Sequence, residues 1–244
     1  HILEVNRASI LARPERPLSA NQLVEINRWA DALRNNVPFA YLVGEQEFWG
    51  LNLAVSPHVL VPRPETELLV ESALALLQNG ASLLDLGTGS GAIALAIASE
   101  RVDAKITATD ISTDALLVAK QNAETLGIEV TFQESRWLES LTGRWQIIVS
   151  NPPYIDPADP HLENLHAEPQ HALIADEKGF ADLRQIITEA PNYLANGGWL
   201  LLEHGFDQAQ QVRLLLEQSG FQAVTSHRDL ANIERVSLGQ YLYE

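Results

Sequence analysis

The spacing of hydrophobic residues changes along this chain, and the changes mark its divisions. Up to about Glu45 the spacing is helical. Ser19 and Gln22 have the separation of a capping box, and Leu23, Ile26, Ala30 and Leu33 then fall on one face. In "EFWGLNLAVSPHVLVPRPETE", Phe48, Leu51, Leu53, Val55 and Val59 alternate loosely with polar residues around Gly50, which predicts a hairpin. After Pro64, helical and strand-like segments take turns: a helix over 65–77, strand "SLLDL", a helix over 91–99, strand "KITATD" and a Ser112-capped helix that stops before Gly127. Strands "EVTFQ" and "WQIIVS" follow, then a polar loop, a helix over 181–194, strand "GWLLLEH", a helix near 208–218, and closing strands "FQAVTS" and "RVSLGQYLY". Such alternation predicts an α/β fold built on a parallel, doubly wound sheet with helices on both faces. The expected division is an N-terminal helical domain over 1–45, a β-hairpin linker over 46–62 and an α/β domain over 63–244. No internal repeat or low-complexity tract interrupts it.

Composition narrows the class. With 244 residues, 46% of them hydrophobic, the chain can bury one large core and a small second unit. No run approaches the ~18 consecutive apolar residues of a membrane span, and the first residues lack the layout of a signal peptide, so a cytoplasmic protein is expected. The absence of cysteine excludes disulfides, thiolate catalysis and Cys-ligated metal. The absence of methionine leads us to expect that His1 is not the natural start. A net charge of −16, from 32 acidic and 16 basic residues, disfavours a phosphate backbone as partner. Plain solubility and attraction to a basic protein partner both account for that charge.

The segment "LLDLGTGSGAIALAIA" leaves a strand and opens a helix, with Gly87, Gly89 and Gly91 placed for a sharp turn and a close approach to a ligand. A dinucleotide site is the usual reading of such a loop. Asp85, two residues before the first glycine, would repel a pyrophosphate and suits a cationic cofactor such as S-adenosyl-L-methionine. Asp110 ends the next strand 19 residues after Gly91, where a carboxylate can accept from both ribose hydroxyls; capping the helix from Ser112 is its other reading. Trp137 lies just past the following strand, placed either to stack on an adenine or to fill the core.

A further strand ends in Asn151-Pro152-Pro153-Tyr154. Each proline holds its predecessor extended and removes an N–H, so the tetrapeptide is stiff and its carbonyls face no competing donor. The Asn151 side-chain oxygen and the Pro152 carbonyl can together accept both hydrogens of an –NH₂ group, while Tyr154 stacks on a planar conjugated group. The lone pair of such a nitrogen is delocalised, and two acceptors help draw it back toward a methyl donor. The plain alternative for this tetrapeptide is a rigid turn.

Four segments, "DLGTGSGAIALA", "VSNPPYI", "VLVPRPETELLVE" and "LLLEHG", resemble the HemK/PrmC protein-(glutamine) methyltransferases, and with the helical prelude and hairpin the resemblance spans nearly the whole chain. It implies a Rossmann-like class I S-adenosylmethionine-dependent methyltransferase domain after a small helical one. The implied reaction moves a methyl group from S-adenosyl-L-methionine, leaving S-adenosyl-L-homocysteine, to the glutamine amide of the Gly-Gly-Gln motif in class 1 peptide-chain release factors. By this resemblance Gly87, Thr88, Gly89, Ser90, Gly91, Asp110, Trp137 and Asn151 contact the cofactor, and Asn151, Pro152, Pro153 and Tyr154 hold the target amide. Two departures stand out. Arg136 occupies a position where family members often carry an acid, and the family's helical domain is longer, which suits a truncated start. The competing function is an adenine-N6 or other nucleic-acid methyltransferase using the same tetrapeptide on a flipped base; a docking module that keeps only cofactor binding is a third.

The helical unit is expected to grip the release factor away from the glutamine, with the chain acting as a monomer and without nucleic acid or membrane. Arg63 and Glu67 either border the substrate entrance or form an ion pair at a helix start. Glu203 and His204, at a strand end near the crevice, receive no chemical role. His161, His166 and His171 lie five apart, a spacing that does not share a helix face, and no metal site is expected.

Overall fold

The computed structural model describes residues 1–243; the Arg7 side chain and Glu244, the last residue of the expected third domain, lie outside the described residues. Helices α1 (Arg7–Ala12), α2 (Ala20–Arg34) and α3 (Phe39–Val43) come first. The capping box at the start of α2 closes in both directions: the Gln22 N–H donates to Ser19 Oγ at 3.2 Å and the Ser19 N–H to Gln22 Oε1 at 3.0 Å. No residue of α2 is buried, and on the face expected to be apolar Ile26 and Ala30 are half-buried while Leu23 and Leu33 are exposed. Strands β1 (Glu45–Phe48) and β2 (Leu51–Ala54) pair antiparallel around Trp49 and Gly50, both at positive φ, as a tight hairpin turn requires. Its first strand starts one residue earlier than the linker expected over 46–62.

A short 3₁₀ turn (Pro64–Thr66) leads into α4 (Glu67–Leu76). Then come β3 (Ser82–Leu86), α5 (Ala92–Glu100), β4 (Lys105–Asp110), α6 (Thr113–Leu126), β5 (Thr131–Glu134) and β6 (Trp145–Ser150). A long loop ends in the single-turn α7 (Asp176–Gly179), followed by α8 (Ala181–Glu189), β7 (Leu194–Glu203), α9 (Ala209–Gln218), β8 (Gln222–Arg228) and β9 (Glu234–Tyr241). The sheet order is β5-β4-β3-β6-β7-β9-β8. Consecutive residues of β3 point to opposite faces: Leu83 packs with Leu69, Leu95 and Ile97 under α4 and α5, while Leu84 and Leu86 pack with Leu183, Ile186 and Leu216 under α8 and α9. A strand covered on both faces has no polar alternation left to show, which is why "SLLDL" reads as one apolar run.

Two expectations are corrected. The sheet is mixed, because β9 runs antiparallel to both β7 and β8. The five residues between those last two strands are too few for the crossover that a parallel pair needs. The helix expected over 181–194 ends at Glu189, since Pro191 has no N–H for the next helical bond; a 3₁₀ turn (Ala190–Asn192) replaces it, and β7 begins at Leu194.

Candidate active site

From β3 the chain moves outward to β4 and β5 and then returns to β6 on the other side of β3. The crevice at such a reversal, outside the carboxyl ends of the strands, is where α/β sheets bind ligands. Leu86 of β3 pairs with Ser150 of β6, and the Ser150 hydroxyl donates to the Leu86 carbonyl at 2.8 Å. The next residue on each strand is one of the expected site residues, Gly87 on one and Asn151 on the other.

The glycine loop has φ of 70° at Gly87, 56° at Gly89 and 85° at Gly91, values that side chains with a Cβ rarely adopt. A Cβ on Gly87 would lie 3.3 Å from the Trp137 ring. The loop is fastened to the strand beside it: the Thr88 N–H donates to the Thr109 carbonyl at 2.8 Å and the Gly89 N–H to Asp110 Oδ2 at 2.9 Å. Asp110 Oδ1 takes the Ser112 N–H at 2.9 Å, so this carboxylate positions the residue that caps α6 and braces the loop at the same time; the cap itself is the Ser112 hydroxyl, which takes the Ala115 N–H at 3.2 Å. Asp110 also borders a cavity of ≈ 220 Å³ walled by Gly87, Gly89, Trp137, Asn151 and Pro153. The Trp137 Nε1–H donates to Asp182 Oδ1 at 3.0 Å, which sets the indole plane; burial pushes the Asp182 carboxyl above its usual range.

Asp85, Thr88, Ser90 and Gly91 are buried and do not border this cavity. Asp85 is fully buried, its Oδ2 taking the Thr88 hydroxyl at 2.6 Å and its Oδ1 left without a partner. Desolvation pushes it up to about 7.

A second cavity, of ≈ 480 Å³, meets the first at Asn151 and is bordered by Pro152, Tyr154, Arg63 and Glu168, with Asn36 and Val37 of the helical unit at its rim. The Asn151 Nδ2–H donates to Thr66 Oγ1 at 3.3 Å, which leaves Oδ1 for another partner. Among the described residues no donor is paired with Asn151 Oδ1 or with the Pro152 carbonyl. The far end of the tetrapeptide is gripped by Gln208, whose Nε2–H donates to the Tyr154 carbonyl at 3.1 Å. Gly179 packs on the same carbonyl so closely that a Cβ would overlap it. The Tyr154 hydroxyl points inward to Glu203 Oε1 at 3.4 Å, and burial, reinforced by that carboxyl, raises its pKa.

Arg63 does not pair with Glu67. Its guanidinium is bound to Glu168, whose Oε2 also takes the Val61 N–H at 3.1 Å, while Glu67 Oε1 takes the Trp49 N–H at 2.9 Å and fastens the hairpin turn to α4. His204 is buried with its ring nitrogens on the Gly205 carbonyl and the Ser237 hydroxyl, and burial lowers its pKa. Thr66, Gln208 and Asp182 escape a reading of the sequence because each reaches the site from a distant part of the chain.

Fold and site together define a Rossmann-like methyltransferase of class I, with a glycine loop and an acceptor tetrapeptide on adjacent strand ends. A family model described as the methyltransferase small domain matches residues 64–227, and one described as the PrmC N-terminal domain matches residues 1–44. A release factor glutamine methyltransferase of Yersinia pestis is 50% identical over 239 residues, covering 96% of this chain and 87% of its own. Its counterpart in Aliivibrio fischeri is 46% identical over 250 residues, covering 100% and 88%. A solved methyltransferase from Pyrococcus furiosus shares the fold, with a TM-score of 0.63 at 20% identity over 89% of this chain and 99% of its own. The chain belongs to the release factor glutamine methyltransferase family.

Proposed function

We propose that this chain transfers a methyl group from S-adenosyl-L-methionine to the side-chain amide nitrogen of the glutamine in the Gly-Gly-Gln motif of class 1 release factors. The observation that carries this reading is Asn151, which stands on the wall between the two cavities with its side-chain oxygen free and the Pro152 carbonyl beside it. The glycine-loop cavity takes the cofactor: Gly89 leaves open space toward it, Asp110 keeps lone pairs for ribose hydroxyls, and Trp137 and Pro153 offer apolar faces. Those residues fit a nucleoside carrying positive charge. When bound, S-adenosyl-L-methionine supplies a sulfonium methyl and leaves as S-adenosyl-L-homocysteine.

The protein's own work is at the nucleophile. Asn151 Oδ1 and the Pro152 carbonyl accept the two amide hydrogens, polarise the N–H bonds and aim the lone pair across the wall, while Tyr154 supports the planar group. Alignment of this kind supplies on the order of 7–11 kcal/mol of a bimolecular barrier. Loss of the amide proton after N–C bond formation leaves it to solvent. Thr88, Ser90 and Gly91 shape the loop from its buried side, and Asp85 braces it through the Thr88 hydroxyl.

In this reading residues 1–45 form the helical domain that docks the release factor, 46–62 the hairpin linker and 63–244 the methyltransferase domain of a cytoplasmic monomer. Among the described residues no helix is long and apolar enough to cross a membrane.

The test is transfer of labelled methyl to purified release factor, beside a release factor with its motif glutamine replaced and beside duplex DNA. Label is expected on the intact release factor alone. Asn151→Ala is expected to lower kcat by about 100-fold or more with cofactor binding retained. Label on DNA would overturn the reading.

A further inference from the structure

Ser150 pairs with Leu202 of β7, so the residue after each, Asn151 on one strand and Glu203 on the other, lies at the same level of the sheet. Glu203 is 2% exposed, which is an expensive place for a carboxyl group. Its Oε1 takes the Tyr154 hydroxyl at 3.4 Å, its Oε2 has no partner, and the Thr66 hydroxyl faces the same carboxyl. Thr66, itself 5% exposed, holds Asn151 Nδ2. One under-bonded acid thus stands behind both ends of the tetrapeptide, and a leucine in its place would serve the core better.

Proton accounting gives it a use. A threonine hydroxyl has one hydrogen to give. If Thr66 gives that hydrogen to the carboxylate, its oxygen can only accept, and the Asn151 amide must turn its NH₂ toward Thr66 and its Oδ1 toward the substrate cavity. If Thr66 points its hydrogen at Asn151 instead, the amide flips and meets the incoming –NH₂ with donors of its own. We propose that Glu203 is a positioning residue for methyl transfer: its carboxylate takes the hydroxyl hydrogens of Thr66 and Tyr154 and so makes Asn151 present its oxygen to the target amide. This rests on the methyl-transfer reading above and deepens it.

Protonation of Glu203 breaks the arrangement, because a carboxylic acid carries a hydrogen of its own and can no longer accept from both hydroxyls through both oxygens. The carboxyl is held up at about 7, by burial first; the hydroxyls of Thr66 and Tyr154 and the charge of Arg235 on β9 pull it down, and Glu65 in the turn before α4 pushes it up. Arg235 is itself bound to Asp229 at 3.1 Å, and the neighbouring His204 is occupied by Gly205 and Ser237. The methyl-transfer rate is therefore expected to fall as pH drops through about 7.

The experiment measures kcat and KM with purified release factor from about pH 6 to about pH 9 for the natural chain, Glu203→Gln, Thr66→Val and Thr66→Ser. A glutamine can accept from one hydroxyl but must donate beside the other. Glu203→Gln is expected to lower kcat about tenfold or more and to lose the acid-side inflection, with KM for S-adenosyl-L-methionine within about twofold of the natural chain and no lower unfolding midpoint at pH ~8. Thr66→Val is expected to follow it, and Thr66→Ser to return to within about threefold of the natural kcat. Unchanged kcat and pH profile in Glu203→Gln, with the natural chain active, would overturn this inference alone. A lowered midpoint accompanied by equal losses in both Thr66 variants would reduce Glu203 to a structural group and overturn it too. A natural chain that transfers no methyl to release factor would overturn both readings.

Discussion

Asp85 is a carboxyl group whose ionisation opposes folding. It is fully buried, and desolvation outweighs the Thr88 hydrogen bond to hold it at about 7, well above the usual carboxylate range. A carboxyl whose folded pKa is raised binds its proton more tightly in the folded chain. The stability it permits is complete below about pH 4 and is lost as pH rises toward about 7. Asp85→Asn removes that dependence, so its unfolding free energy is expected to gain on the natural chain by a few kcal/mol between about pH 4.5 and about pH 7.5. Denaturant titrations at the two pH values read the difference; parallel curves would show that Asp85 ionises freely behind the loop. The same residue shows what single positions in the sequence can tell. Its charge and its place before Gly87 are visible, and they suggest a cofactor contact. Whether the carboxylate faces the ligand or the core depends on Thr88 and the buried side of the loop, which a one-dimensional reading does not supply. Asn151 to Tyr154 are legible for the opposite reason, because two consecutive prolines fix local geometry without outside help.

At the scale of elements, the second strand of the hairpin is tied to the sheet domain through the Asn122 side chain. Asn122, 2% exposed on α6, accepts the Ala54 N–H at 2.7 Å and donates to the Ala54 carbonyl at 3.0 Å and the Ser90 carbonyl at 2.9 Å. It thereby continues the edge of β2 and ties the glycine loop to the same point. Asn122→Ala leaves three backbone groups short of partners, and a loss of about 2–4 kcal/mol in unfolding free energy is expected from chemical denaturation. Cofactor binding is expected to weaken with it, since Ser90 belongs to the loop; a loss under about 0.5 kcal/mol would mean water replaces the amide at no cost. Element type was readable wherever periodicity or a cap was strong, as in the Ser112-capped helix ending before Gly127 and in "KITATD". Strand direction was not, because alternation is the same in either sense; only the five-residue link around Asp229, where the Asp229 carboxylate accepts the N–H groups of Ala231 and Ile233, forces the antiparallel return. Asn122, deep in a helix and polar, gave no sign of its partners 68 and 32 residues away.

The whole molecule presents two features to a protein substrate, a net charge of −16 and a cavity whose rim is shared between the helical unit and the sheet domain. Asn36 donates to Asn164 Oδ1 at 3.3 Å, bringing the link after α2 against the loop that follows Asn151. Under the proposed function, docking and chemistry are separable: the tetrapeptide would act on one side chain, and the acidic exterior on the approach of a whole protein. Attraction between exposed charges is screened over about 8 Å at physiological ionic strength and over about 30 Å at 0.01 M salt. Raising salt from about 0.02 M to about 0.3 M is therefore expected to raise KM for intact release factor severalfold, while kcat and KM for S-adenosyl-L-methionine stay within about twofold. A short peptide carrying the Gly-Gly-Gln motif and no net charge is expected to show little of this dependence. If KM for the intact protein is flat across that range, the acidic surface serves solubility alone, and recognition rests on the contacts around the cavity rim.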